Sequence, residues 1–114
     1  MTLIYAYKNL GLTRDLVILD SAGAAITPGA NDEIRVIIGR THETPLITIA
    51  SNAATANGSY LLKGASNRLR VDASDLETLD PGTYNLFFDY FDNSDASEWK
   101  KVSNQVIHVE ESPL

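Results

Sequence analysis

The sequence contains no cysteine, which excludes a disulfide framework, a thiol nucleophile and a zinc–thiolate site. No apolar stretch approaches the roughly 20 residues that a membrane-spanning helix requires. The N-terminal segment MTLIYAYKNLGL lacks the basic start and the small-residue cleavage site of a secretory signal peptide. We therefore expect no membrane partner and synthesis in a cytoplasm.

Positive charge is scarce, with nine lysines and arginines against 15 acidic residues and a formal net charge of −6. Eight acidic residues lie between Asp72 and Glu98, where lysine and arginine are absent. Phosphate backbones are bound through clustered lysine and arginine, so nucleic acid is not an expected partner. The acidic stretch predicts a solvated surface, and a calcium site or a basic protein partner is the alternative.

Motifs for catalysis or cofactor binding are also missing. The sequence has neither a Gly-x-Ser-x-Gly nucleophile elbow nor a Gly-x-Gly-x-x-Gly phosphate loop. Its two histidines, His42 and His108, are interpreted as structural or exposed. Asp89 lies between Phe88 and Tyr90, and we interpret it as an outward residue on a partly exposed face. We expect no enzymatic activity and no cofactor.

One polar loop places three carboxylates close together in the sequence. The segment DNSDASE contains Asp92, Asp95 and Glu98. Calcium takes six to eight oxygen ligands, and this loop lacks the glycine and the spacing of an EF-hand. We interpret the segment as a turn and keep these three residues as weak candidates for a metal site.

What the sequence does contain is a series of short apolar segments separated by turn residues. They include LIYAY, DLVILD, DEIRVIIG, PLITIAS, TANGSYLL, NRLRVDA, LDPGTYNLFFDYFD and the final WKKVSNQVIHVEE. Segments of this kind at intervals of about ten residues predict a single all-β domain. We expect an antiparallel two-sheet sandwich of about seven strands, with a small barrel as the alternative.

Residues 12–110 form the predicted sandwich domain. Residues 1–11 are expected to form an N-terminal edge strand or an extended arm, and residues 111–114 a short disordered tail. Within the domain, DLVILD (Asp15 to Asp20) is typical of a strand buried on both sides. A slip in the apolar alternation of the last strand predicts a β-bulge near Ser103 to Gln105.

Two local motifs interrupt the strands. One short helix is predicted near residues 74–79, because Ser74 is a suitable N-cap, Leu76 and Leu79 share a face, and Pro81 ends the segment. Asn57-Gly58 predicts either a two-residue hairpin or a longer loop.

The strand LDPGTYNLFFDYFD presents aromatic residues on both of its faces. Side chains alternate along a strand, so Tyr84, Leu86, Phe88 and Tyr90 share the face that packs on the core. Phe87 and Phe91 lie on the other face. They are covered either by the N-terminal residues Leu3, Tyr5 and Tyr7, or by a neighbouring subunit. These five residues are the candidate partner contacts.

The order of elements resembles the small immunoglobulin-like β-sandwich modules of tailed-phage virions. The resemblance spans residues 12 to 110 and is carried by the strand Leu69-Arg70-Val71, a short Asp-Leu-x-x-Leu helix at 75–79, and the turn Pro81-Gly82-Thr83-Tyr84. Such modules occur in baseplate and tail proteins and as free-standing proteins that decorate capsids. The resemblance concerns the fold and identifies no active site.

The resemblance implies a non-enzymatic virion protein that acts by protein–protein contact. No fibre region follows the sandwich and an extra N-terminal segment precedes it, which favours a free-standing capsid decoration or cement protein. The implied partners are other virion proteins, above all the major capsid protein, and further copies of the chain in a homo-oligomer. The alternatives are a tail or baseplate component and a carbohydrate- or receptor-binding module.

Overall fold

The computed structural model describes residues 3–95 and 98–111. Their regular elements are β1 (Leu3–Tyr7), β2 (Leu12–Leu16), β3 (Ile18–Leu19), β4 (Ala25–Ile26), β5 (Glu33–Gly39), β6 (Pro45–Ala50), β7 (Tyr60–Leu62), β8 (Asn67–Val71), α1 (Ala73–Leu76), β9 (Gly82–Phe91) and β10 (Lys100–Glu110). A single 3-10 turn, Asn93–Asp95, follows β9. The prediction of an all-β protein with one short helix is confirmed.

The strands form a five-stranded sheet in the order β1-β10-β9-β5-β6, a three-stranded sheet in the order β2-β8-β7, and the two-stranded pair β3-β4. The described residues thus contain ten strands, whereas the sequence predicts about seven. β1 belongs to the segment predicted as an edge strand or an extended arm, and it runs parallel to β10 with Leu3 opposite Val106 and Tyr7 opposite Glu110. The other strand pairs are antiparallel.

The inward faces of both large sheets contribute to one hydrophobic core. Strand alternation places every second residue inward, and the fully buried side chains include Ile34, Val36, Ile38, Leu86, Phe88 and Ile107 from the five-stranded sheet and Leu61, Leu69 and Val71 from the three-stranded sheet. Because these residues belong to one cluster, the outward faces of the two sheets lie on opposite sides of the molecule.

The chain passes between the two sheets at both of their edges. After β1 the backbone turns at Gly11, whose N–H donates to the Tyr7 carbonyl at 3.2 Å, and then enters β2. Gly11 has a φ of +73°, and a Cβ there would approach the Val71 carbonyl oxygen to 2.7 Å. A side chain is therefore excluded at this turn by conformation and by space.

At the other edge the chain passes from β6 to β7. Of the two predicted forms for Asn57-Gly58, a two-residue hairpin or a longer loop, this connection is the longer loop. β6 and β7 belong to different sheets, so the segment between them is not a hairpin. Its turn is bound to the Asp75 carboxylate, which accepts hydrogen bonds from Thr55 Oγ1 at 2.7 Å, from Asn57 Nδ2 at 2.9 Å and from the Ser59 hydroxyl. Burial by itself would raise the pKa of Asp75, but these donors together hold it below its ordinary value.

The helix begins earlier than the sequence predicts. Asp72, and not Ser74, is the N-cap, and its carboxylate accepts the Ser74 N–H at 3.0 Å. Aspartate is as effective as serine at this position, and the carboxylate also opposes the positive end of the helix dipole. Leu76 and Leu79 are buried, as their shared face predicted.

Two other local predictions need correction. The segment from Asp15 to Asp20 is not one buried strand: it divides into β2 and β3 at Val17, and the side chains of Val17 and Leu19 are 43% and 58% exposed. The bulge in β10 lies between Lys101 and Ser103, slightly before the predicted position.

Candidate functional site

The centre of the outward face of the five-stranded sheet contains a buried ionic cluster. Asp89 on β9 is directly opposite Arg35 on β5, and the side chain of Asp89 is only 1% exposed. Its Oδ2 atom lies 2.8 Å from Arg35 Nε and 2.8 Å from His42 Nε2. His42 belongs to the loop between β5 and β6, so this contact binds that loop to the sheet.

Aromatic side chains surround this cluster and complete its cover. The His42 ring meets Phe87 edge-on at a centroid distance of 5.2 Å, and Trp99 meets Phe91 at 5.4 Å. The Arg35 guanidinium lies 4.2 Å from the centroid of the Trp99 ring, which is a cation–π contact. Phe87 and Phe91 are consequently half-buried within the protein's own structure.

The N-terminal residues do not provide this cover, so that interpretation of the aromatic strand is wrong. β10 separates β1 from β9, and the Tyr5 ring contacts His108 on β10 at 5.7 Å. Leu3 and Tyr5 instead remain 51% and 59% exposed, and Tyr7 is half-buried. The five candidate contact residues therefore form two separate groups.

Sequence reasoning assigned Asp89 correctly to the outward face but missed its burial. The position of Asp89 between the core residues Phe88 and Tyr90 shows which face it is on. Its burial depends on His42 and Trp99, which lie 47 residues before and ten residues after it in the chain, so no local pattern shows it. The arrangement pairs the carboxylate with a guanidinium and an imidazole, and it stabilises two loops over the sheet.

A second carboxylate, Asp32, organises the end of β9. It accepts the Asn93 N–H at 2.9 Å, the Gly29 N–H at 2.7 Å and the Tyr90 hydroxyl at 3.1 Å. The two backbone donors, foremost that of Asn93, hold the pKa of Asp32 below its ordinary value. Burial and the Asp32 carboxylate raise the pKa of Tyr90 to about 12. These groups bind loops together, and Tyr90 also lines a surface cavity with Ile18 and Val102.

The weak metal candidates receive no support from the geometry of the described residues. Asp92 Oδ1 accepts the N–H and the hydroxyl of Ser94 at 2.9 and 2.7 Å, which is a local turn. The Asp95 side chain lies outside the described residues. Among the side chains described, no group of three or more histidines, aspartates or glutamates could hold a metal ion.

The outward face of the three-stranded sheet carries two mixed rows of side chains. One row consists of Thr13, Arg70 and Tyr60, and the other of Asp15, Arg68 and Leu62. Arg68 Nε donates to Asp15 Oδ1 at 2.8 Å, and Arg70 Nη1 donates to Thr13 Oγ1 at 3.2 Å.

Beside these rows, Tyr60 and Leu62 are 37% and 56% exposed. The alternation of Arg68 and Arg70 with the buried Leu69 and Val71 is enough to assign both arginines to the outward face. It did not predict their apolar neighbours on β7, because strand pairing is not visible in one sequence. We call these six residues the arginine face.

The chain matches no protein-family model, no curated protein and no solved structure with which it was compared. Among residues 3–95 and 98–111, no helix is long and apolar enough to cross a membrane.

Proposed function

We propose that this chain is a non-enzymatic structural protein of tailed-phage virions, and that it decorates and stabilises the capsid through contacts with the major capsid protein. The proposal has a fold component, an immunoglobulin-like sandwich, and a surface component, the arginine face. The motif resemblance of residues 12–110 supplies the virion context.

The fold component is supported by the corner that precedes β9. The Tyr84 hydroxyl donates to the Asp80 carbonyl four residues earlier, at 2.6 Å. This is the geometry of the tyrosine corner of immunoglobulin-like sandwiches, which lies at the start of strand F. With β9 as strand F, the order β10-β9-β5-β6 corresponds to G-F-C-C′, and β2-β8-β7 corresponds to B-E-D.

The arginine face is the single observation that carries the functional proposal. Tyrosine and arginine are enriched among the residues that dominate protein–protein binding energy. Here Tyr60 and Leu62 offer exposed apolar area beside Arg68 and Arg70, on a chain whose net charge is −6. The arginine face has two arginines and one aspartate, so it is complementary to an acidic partner surface. The rest of the chain is negatively charged and would be repelled by such a partner, which favours binding through the arginine face.

The location in the virion is tested by counting copies. Quantitative mass spectrometry of purified particles, from the phage that encodes the chain, measures its ratio to the major capsid protein. A ratio near one per capsid subunit, or per capsomer, is the expected result. A count far below this, at the level of tail proteins, would assign the chain to the tail or baseplate, and absence from particles would overturn the virion proposal.

The role of the arginine face is tested with a matched pair of variants. Leu62→Ser and Leu46→Ser remove leucines of nearly equal exposure, 56% and 55%, from different sheets. Leu62→Ser should weaken binding to particles that lack the protein by about tenfold. Leu46→Ser should bind like the unmodified chain. Equal binding by both variants would show that the arginine face is not the contact.

A further inference from the structure

The four edges of the two large sheets differ in how well they are protected against pairing with another strand. Natural proteins protect sheet edges with short strands, prolines, bulges and charged residues. β7 has three residues, β6 begins at Pro45 beside a register shift, and β2 carries Arg14 and Asp15. β1 has none of these features, and its pairing with β10 continues without a register shift.

The backbone of β1 presents a short unpaired segment. The Lys8 N–H donates to the Glu110 carbonyl, so Lys8, Ala6 and Ile4 direct their backbone groups toward β10. The alternate residues Leu3 and Tyr5 therefore direct theirs away from the sheet. At the next alternate residue, Tyr7, the carbonyl accepts the N–H groups of Leu10 and Gly11, and this turn closes the edge.

Within the described residues, the open edge thus consists of Leu3 and Tyr5. Their side chains are also the exposed ones, at 51% and 59%, whereas Ile4 and Ala6 are buried and hold the strand in place. Open hydrogen-bonding groups and exposed apolar side chains therefore coincide at the same two positions.

We propose that two copies of the chain pair through this edge, β1 to β1, in antiparallel orientation with Leu3 of each copy opposite Tyr5 of the other. This inference rests on the proposed function in assigning the chain to protein contact, and it names the partner at a surface other than the arginine face.

The spacing of the open groups is compatible with two-fold pairing of two copies and restricts its register. In an antiparallel pair, opposing residues exchange both backbone hydrogen bonds at every second position. A two-fold axis at Ile4 places Leu3 opposite Tyr5 twice, so each open N–H and C=O finds a partner. An axis at Tyr5 would instead place Leu3 opposite Tyr7, where Gly11 already occupies the edge.

Side chains and charge agree with this register. The pairing brings each exposed Leu3 against an exposed Tyr5, a favourable cross-strand pair. β1 contains no charged residue, so two chains of net charge −6 meet at a neutral segment. The paired segment is only five residues long, far fewer than the roughly 20–30 residues a side of stable specific interfaces, so the dimer should be weak and concentration-dependent.

Sedimentation equilibrium over a concentration series tests the dimer. The apparent mass of the unmodified chain should rise toward twice the monomer mass. Tyr5→Lys should weaken the association by about tenfold or more, because a lysine on an edge strand opposes pairing. The control Leu46→Lys places the same charge on the edge strand β6 and should not change it. A chain that stays monomeric at every concentration, or two variants that behave alike, would overturn the proposal.

Disulfide trapping tests the register, and the absence of natural cysteine makes it unambiguous. A mixture of Leu3→Cys and Tyr5→Cys chains should form the mixed disulfide in excess over either symmetric product. Dominance of the Tyr5→Cys homodimer would place the axis at Tyr5 and overturn this register. Particle binding separates this proposal from the proposed function. If Tyr5→Lys still binds to particles and the unmodified chain does not dimerise, only the self-pairing is wrong.

Discussion

The Tyr84 hydroxyl donates a hydrogen bond to the main-chain carbonyl of Asp80, and this 2.6 Å contact joins the start of β9 to the end of the segment that follows α1. The Tyr84 ring is 3% exposed, and the Arg40 guanidinium lies 4.9 Å from its centroid. The contact thus fixes the corner at which the chain crosses from the three-stranded to the five-stranded sheet.

Replacing Tyr84 with Phe should lower the free energy of unfolding by about 1–2 kcal/mol, because the buried ring remains while the Asp80 carbonyl loses its partner. Urea denaturation followed by circular dichroism measures this change. Tyr60→Phe, at an exposed position, is the control and should change the free energy by less than about 0.5 kcal/mol. Equal effects of the two variants would show that the corner hydrogen bond does not contribute to stability.

The ion pairs Asp89–Arg35 and Asp15–Arg68 have the same Nε–O distance, 2.8 Å, but differ in burial. Asp89→Ala should cost about 2–3 kcal/mol. This is below the roughly 3–5 kcal/mol typical of fully buried pairs, because Arg35 and His42 are 25% and 19% exposed and can reach water. Asp15→Ala should cost less than about 1 kcal/mol, since its pair is half exposed. Chemical denaturation of both variants measures the difference, and a smaller loss for Asp89→Ala than for Asp15→Ala would contradict the role of the buried cluster.

Acid should destabilise the protein partly through Asp75, whose pKa in the folded state lies below its ordinary value of 3.8. A lowered folded-state pKa gives a stabilisation that is complete above 3.8 and is lost as the pH falls through the folded-state value. The urea midpoint should therefore fall between neutral pH and about pH 3, and the fall should be smaller in Asp75→Asn. Glu77→Gln, at an exposed position nearby, should keep the full pH dependence. An unchanged slope in Asp75→Asn would exclude this contribution.

Alkaline pH should destabilise the protein through Tyr90, whose pKa is raised from 10.0 to about 12. The raised value gives a stabilisation that is complete below pH 10 and is lost as the pH rises toward 12. An absorbance titration should show a tyrosine ionisation step near pH 12, and Tyr90→Phe should remove that step. If the late step remains in Tyr90→Phe, the assignment to Tyr90 is wrong.

Several features of the fold were predictable because they depend on neighbouring residues. Strand alternation correctly assigned Tyr84, Leu86, Phe88 and Tyr90 to the core. The start of a strand directly after Pro81 and the buried Leu76 and Leu79 also followed from local pattern, as did the single short helix, although its cap is Asp72. The division of the segment after Asp15 into β2 and β3 did not follow, since an apolar run does not show where a strand changes partner.

The candidate surfaces were only half predictable. Leu3 and Tyr5 were expected on an edge strand or an extended arm, and the structure has them on the edge strand β1. Strand alternation is enough to assign Arg68 and Arg70 to the outward face. That Tyr60 and Leu62 lie beside these arginines depends on β7 pairing with β8, and the exposure of Leu3 and Tyr5 depends on β1 lying beyond β10. Strand order reflects the packing of the whole chain.

The amino-acid sequence by itself determined an all-β protein, its turns, the side of each strand that faces the core and an acidic chain without thiol chemistry, because these follow from local geometry and composition. Only the tertiary structure decided that β1 runs parallel to β10 and that Asp89 is buried. Arg35 and His42 reach Asp89 across 54 and 47 residues of chain, and Trp99 lies over Arg35. Contacts at such separations depend on the cooperative packing of the whole domain and leave no pattern in any short segment.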